Sequence, residues 1–281
     1  MKLTISLRGA EHMAASPLIV LLTDFGTSDG YVGVMKGVIF GIAPDARVID
    51  LTHDISPQDV REAAWVLHTA WRYFPEKSIF LCVVDPGVGS ERVAMALSAG
   101  GRYFVGPDNG LFSYIYRADP GARAVALDQP AYQLPNPSAT FHGRDIFAPG
   151  AAHLARGVPF AQLGSSLSAR ALTRISLPEP LLHAGGITAH VVHIDRFGNL
   201  ITDLDAELAA RILQSPRSVL YLAGATLTER ASTFAAGPEH QPFMLRDSSG
   251  HLAIAVRNGS AAAALDLRVG DSIEVTGLAG E

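Results

Sequence analysis

Residues 18–22 (LIVLL) are a short apolar run ending in Thr23-Asp24-Phe25-Gly26, the pattern of a buried strand that feeds a loop. From Gly30 to Ile42 the period changes, and Val34, Val38 and Ile42 at four-residue spacing predict a helix. A second strand is predicted over Ala46–Leu51, ending in Thr52-His53. The segment after Pro57, from Asp59 to Tyr73, predicts a helix with proline near its first turn. Residues 78–84 predict a third strand, ending at Asp85-Pro86-Gly87. Strands alternating with helices imply a largely parallel sheet covered on both faces. Ligands of such sheets bind beyond the carboxyl ends of the strands, where these Asp-, Thr-, His- and Gly-rich loops fall.

From about Gly185 the pattern is different. Ile187–His193, Ser218–Leu222, Phe243–Arg246, Leu252–Val256 and Ser272–Val275 alternate as strands, with turn signals between them. The expected fold class is therefore α/β. An N-terminal α/β domain over 17–175 precedes a smaller, β-rich barrel or sandwich over 185–281. The stretch Leu167–Ala184, with Pro178 and Pro180, is the expected linker. Residues 1–16 are expected to be a flexible extension, with Met13 an alternative natural start. No internal repeat or low-complexity segment is evident.

Composition narrows the function. Against 27 acidic residues stand 22 lysines and arginines, a net charge of −5, which argues against binding driven by nucleic-acid phosphates. Charged residues are only 17% of the chain and apolar ones 48%, so it is not a disordered chain. The single cysteine, Cys82, excludes a disulfide framework and a cysteine-rich zinc site, and its apolar surroundings predict a buried side chain. No apolar run reaches the ~18 residues of a membrane span. The first residues lack a secretory signal, so the expected location is cytoplasmic.

Several familiar patterns fail on context. Asp24-Phe25-Gly26 has only 23 residues before it, too few for a kinase's upstream loop and lysine strand. Gly87-Val88-Gly89-Ser90 lacks the Lys-Ser/Thr of a P-loop. His190 and His193, three apart on a predicted strand, face opposite ways and make poor metal ligands. What remains is a set of six polar loops: TDFGTSDG (23–30), THDISPQD (52–59), VDPGVGSER (84–92), GPDNG (106–110), FHGRD (141–145) and DRFGN (195–199). Each alone reads as a turn. Together, separated by apolar strands, they point to a site that grips a polar ligand.

The ordered series LLTDFGTSDGYVGVMKG, DLTHDISPQDV, VVDPGVGSER, GRYFVGPDNGLF, FHGRDIFAP, HIDRFGNLITD and SSGHLAIAV…NGSAA resembles the S-adenosyl-L-methionine hydroxide adenosyltransferase (hydrolase) family. That family is related to the bacterial fluorinase and chlorinase that use the same substrate. The resemblance runs from about residue 18 to 275 and implies an α/β N-domain, a β-rich C-domain and a homotrimer with active sites between subunits. It implies hydrolysis of S-adenosyl-L-methionine to adenosine and L-methionine by attack of water on C5′, with no cofactor, metal, nucleic-acid or membrane partner. The sulfonium leaves as a neutral thioether and requires no general acid. Water is a poor nucleophile, so the site must hold it in line and take its proton.

The resemblance places that task on Asp85, Arg92 and His142, and leaves open which of them accepts the proton. Without it, Asp85 and Arg92 read as an ion pair closing a loop. The same resemblance assigns Asp24 to the ribose diol, where one carboxylate accepts two hydroxyl protons. It assigns Asp195 to the substrate's ammonium, Asn199 to adenine, Ser248 to the methionine carboxylate and Asp29 to the amino-acid region; Phe234 either stacks on adenine or packs in the core. The halide-using relatives carry an aromatic hydroxyl where Asp85 stands, and a carboxylate there repels halide. Ser249 departs from an arginine found in some of them. Three rivals remain: a halogenase of the same fold, a non-catalytic nucleoside-binding module, and a metal-dependent phosphohydrolase built on the Asp-rich loops.

Overall fold

The computed structural model describes residues 17–222 and 224–278, so the expectation for residues 1–16 lies outside the described residues. Contacts divide the chain into two compact units, with the break after Ile175.

The first unit runs β1 (Leu18–Thr23), α1 (Tyr31–Ile42), β2 (Arg47–Thr52), α2 (Val60–Ala70), β3 (Ile79–Val83), β4 (Ala94–Ala99), β5 (Arg102–Pro107), α3 (Ser113–Ala118), β6 (Arg123–Ala126), α4 (Ala148–Ala155) and β7 (Ser166–Leu167). The sheet order is β2-β1-β3-β5-β4-β6-β7. β2, β1, β3 and β5 are mutually parallel, whereas β4, β6 and β7 extend the sheet antiparallel. Alternate residues of β1 feed opposite faces. Ile19 and Leu21 join a core with Met35 of α1 and Ala151 of α4; Val20 and Leu22 join a second core with Leu67 of α2 and Ile115 of α3. Both faces are covered, which is why β1 and β3 read as continuous apolar runs. Because β2, β1 and β3 are adjacent and parallel, the loops after Thr23, Thr52 and Val83 share one edge of the sheet.

Two local expectations shift. The buried stripe of α1 is Val32, Met35 and Ile39, while Val34 is 45% exposed. The helix is apolar nearly all round, with Lys36 its single charged residue, so periodicity alone does not select the buried face. The second helix starts at Val60, capped by Asp59, whose side chain accepts from Glu62 N–H; Pro57 lies ahead of the cap instead of in the first turn.

The second unit runs β8 (Leu181–His183), β9 (Gly186–Ile194), β10 (Leu200–Thr202), α5 (Ala206–Gln214), β11 (Val219–Leu222), β12 (Ala225–Leu227), β13 (Pro242–Arg246), β14 (Leu252–Val256), α6 (Ala261–Leu265) and β15 (Ser272–Thr276). Its antiparallel order is β12-β11-β15-β9-β10-β14-β13, with β8 on β9. The segment after β12 bonds back to β13: Met244 N–H donates to Glu229 O (2.9 Å) and Ala231 N–H to Met244 O (3.0 Å). The sheet thus curls into a nearly closed barrel around Leu200, Leu220, Ile254 and Ile273. His190 is paired, its Nδ1 2.8 Å from Asp203 Oδ2.

Phe80 of β3 is fully buried and stacked on Phe104 of β5, with ring centroids 5.1 Å apart. Phe80→Ala should cost about 3–5 kcal/mol of stability, read as a lower denaturation midpoint with unchanged m-value.

Candidate active site

β3 is followed directly by Val84-Asp85, and the chain then makes two tight turns before β4. Val88 N–H donates to Asp85 O (3.2 Å) and Ser90 N–H to Gly87 O (3.0 Å). These turns bring Arg92 back over Asp85. Arg92 Nε donates to Asp85 Oδ1 (2.8 Å) and Nη2 to Oδ2 (2.5 Å), a two-pronged pair with both side chains largely buried. Nη2 also lies 2.7 Å from His142 Nδ1, fifty residues away in sequence. Gly89 permits this approach. Its φ is +79°, and a Cβ there would stand 2.5 Å from Ala139 O. The 85–92 loop and the segment leading to His142 therefore touch through bare backbone. Asp145, 2% exposed, stiffens that segment by accepting from Ser138 N–H (2.8 Å) and pairing with Arg144. His142 caps a π-helical turn over Gly143–Phe147.

Burial and the neighbouring Arg92 charge hold His142 below the ordinary histidine range, although Asp85 and Asp145 pull the other way. Arg92 is a donor only, so His142 Nδ1 accepts and the ring proton resides on Nε2. Imidazole, guanidinium and carboxylate form one connected triad.

The triad borders a cavity of about 440 Å³ lined by Asp85 and His142, with Asp24, Gln58, Phe25 and Phe141 among the other walls. Asp24 follows β1; its Oδ2 accepts from Gln58 N–H (2.8 Å). Gln58 holds φ +68°, uncommon for a side chain of its size, and so turns its N–H toward that carboxylate. Phe25, Tyr31 and Phe141 pack edge-on or tilted at 5.2–5.9 Å between centroids, an aromatic wall beside the carboxylates. The sequence motifs contain Phe25, Gln58 and Phe141, but nothing in their spacing marks them as cavity residues. Only the adjacency of the strand ends, with the segment from Ala139 to His142 brought against them, does so.

Other expected site residues lie elsewhere. Asp29 sits on the exposed turn before α1 and does not line the cavity. Asp195, Asn199, Phe234 and Ser248 belong to the second unit. Asp195 Oδ1 accepts from Phe197 and Asn199 N–H (2.9 Å each), and Oδ2 accepts from Asn199 Nδ2 (2.7 Å), so these two side chains bond each other across the β9–β10 turn. Asn199 is buried; Phe234 is half-exposed. Ser248 is exposed at the tip of the β13–β14 hairpin, and the neighbouring Ser249 hydroxyl is engaged by Asp247 and His251. Among the described residues no three His, Cys, Asp or Glu side chains come together as a metal ion would require.

This geometry coincides with a clear sequence relationship. Residues 19–164 match the model for the SAM hydroxide adenosyltransferase N-terminal domain, and residues 189–274 match its C-terminal counterpart. The chain belongs to the SAM hydroxide adenosyltransferase family. It is 42% identical over 260 residues to the (R)-S-adenosyl-L-methionine hydrolase of Thermus thermophilus, covering 90% of this chain and 96% of that one. A fluorinase from an Actinoplanes species is 28% identical, covering 93% and 98% respectively. The crystal structure of an uncharacterized conserved protein from Thermotoga maritima superposes with a TM-score of 0.85 at 35% identity, covering 92% of this chain and 99% of that one.

Two outcomes are expected. Gly89→Ala should separate the two loops and lower both melting temperature and turnover, since the backbone at Ala139 cannot yield as a side-chain end would. The depressed His142 means that an unfolded chain takes up a proton at about pH 6.5 while the folded one resists it. Stability should therefore fall as pH drops below about 6.5, and less steeply in His142→Gln; urea titrations at stepped pH read the difference.

Proposed function

We propose that this chain hydrolyses (R)-S-adenosyl-L-methionine to adenosine and L-methionine without a cofactor. The observation that carries the reading is the Arg92 guanidinium bound at once to Asp85 and His142, beside a cavity that also holds Asp24. Family membership supplies the substrate class.

The donor pattern assigns the parts. Arg92 occupies His142 Nδ1, so this imidazole offers an Nε2–H and not a basic lone pair. Asp85 keeps unused lone pairs on oxygens already polarised by Arg92. A water that accepts from His142 Nε2–H and donates to Asp85 has its second lone pair free to attack C5′. The O–C5′ bond forms as the C5′–S bond breaks. The bonding pair goes to sulfur, which leaves as the neutral thioether of methionine, and the water proton passes to Asp85 and then to solvent. Arg92 holds the carboxylate and imidazole in register. Asp24 grips the ribose diol.

The remaining handles are assigned to Asp195 for the ammonium, Asn199 and Phe234 for adenine, and Ser248 and Asp29 for the amino-acid end. Asp195 and Asn199 can take these roles while hydrogen-bonded to each other, since the carboxylate keeps an acceptor position and the amide a second N–H and its oxygen. The proposed assembly is a homotrimer in which a neighbouring subunit contributes these second-unit residues. Tyr31, Val34 and Phe40 on α1, each 45–50% exposed, give the first unit apolar surface for such an interface. No helix among the described residues is long and apolar enough to cross a membrane; a cytoplasmic setting remains part of the proposal.

Incubation with the substrate and chloride should yield adenosine; 5′-chloro-5′-deoxyadenosine as the main product would overturn the hydrolase reading. Asp85→Asn should lower kcat by about 10²–10⁴-fold while adenosine still binds, as calorimetry would show. Light scattering of the intact protein tests the trimer.

A further inference from the structure

The ends of β1 and β2 are joined by a chain of polar groups that the proposed chemistry does not use. Lys36 Nζ donates to Asp50 Oδ2 (2.7 Å). Asp50 Oδ1 lies 3.0 Å from His53 Nε2, in a bent approach that falls short of a full hydrogen bond. On the other side of the ring, His53 Nδ1 is 2.8 Å from Thr23 Oγ1. Thr23 Oγ1 also accepts from Phe25 N–H (3.2 Å), and His53 O accepts from Gly26 N–H (2.8 Å). Burial separates the two halves of this chain. Thr23 and His53 are 0% and 6% exposed, while the Asp50 and Lys36 side chains reach solvent.

The Asp50 carboxylate only accepts, and it faces His53 Nε2, which assigns the ring proton to Nε2. His53 Nδ1 then accepts from the Thr23 hydroxyl, whose oxygen takes Phe25 N–H on a lone pair. An Asp–His–Thr series of this kind is the layout of an activated nucleophile, but the Thr23 hydroxyl is fully buried and cannot meet a substrate. It is aimed instead at the backbone of the turn that carries Asp24 and Phe25, both of which line the cavity. The same β2–α2 loop holds the Asp24 carboxylate through Gln58 N–H.

We infer that His53, acting through the Thr23 hydroxyl, is a positioning residue that sets Asp24 and Phe25 for the nucleoside part of the substrate. The inference rests on reading the cavity as a nucleoside site. Its signature is binding without chemistry: the triad of Asp85, Arg92 and His142 stands on other loops and is untouched. The two ring nitrogens can also be replaced one at a time. The asparagine side-chain amide can put a polar atom near Nδ1, and that of glutamine near Nε2.

The full-length chain carrying Thr23→Val, His53→Asn or His53→Gln tests this, with KM and kcat for S-adenosyl-L-methionine, Kd for adenosine by calorimetry, and melting temperature. Thr23→Val and His53→Gln should each raise KM and Kd about tenfold, the worth of one buried hydrogen bond, with kcat changed by less than about threefold. His53→Asn should stay within about threefold of the parent in all three, since the Thr23 partner is kept. Unaltered adenosine affinity in Thr23→Val, or equal losses in His53→Asn and His53→Gln, would overturn the inference. If Thr23→Val fails to fold, the comparison at position 53 decides. If the parent binds adenosine but releases none from the substrate, the hydrolase reading fails and adenosine affinity alone judges His53. If the parent binds no adenosine, both readings fall.

Discussion

One guanidinium organises the candidate site. Arg92 spends its Nε and Nη2 hydrogens on Asp85 and His142, two side chains delivered by separate loops. A lysine in its place would offer a point charge without the fork that fixes both partners in angle as well as distance. The pair is largely withdrawn from water, where an uncompensated carboxylate is costly, so the ion pair and the imidazole depend on one another. Arg92 also sits 5.2 Å from the Phe147 ring centroid, which ties it to the π-turn that His142 caps.

The sheet supplies the stage for that interaction. β1, β2 and β3 are neighbours and parallel, so the residues following them emerge side by side. Apolar β1 and β3, packed on both faces, make their ends stiff supports. Backbone contacts that no side chain could allow, as at Gly89, then bring a distant segment against the strand ends. The antiparallel strands β4, β6 and β7 lengthen the platform without contributing to the cavity.

Much of this was legible in the chain itself. The apolar runs at 18–22 and 78–84 and the alternating segment at 187–193 correspond to strands because burial on two faces or one leaves a distinct trace, whereas 252–256, expected to alternate, is a strand buried at every position. β10 and β12, three residues each, leave no trace of that kind. The helix at Tyr31–Ile42 was visible but its buried face was not, since nearly every position is apolar. The spacing of Asp85 and Arg92 hinted at a pair within one loop. Its link to His142 is a tertiary fact set by Gly89 against Ala139, and the wall of Phe25, Tyr31 and Phe141 likewise arises only when distant loops converge.

The lone cysteine has a consequence of its own. Cys82 lies in β3, three residues before Asp85, fully enclosed, and burial raises its thiol well above the usual range. Reactive thiolate is thus suppressed twice, by lack of access and by lack of ionisation. Oxidants and electrophiles can modify this sulfur only after the central strands part, so chemical damage there follows unfolding and does not cause it.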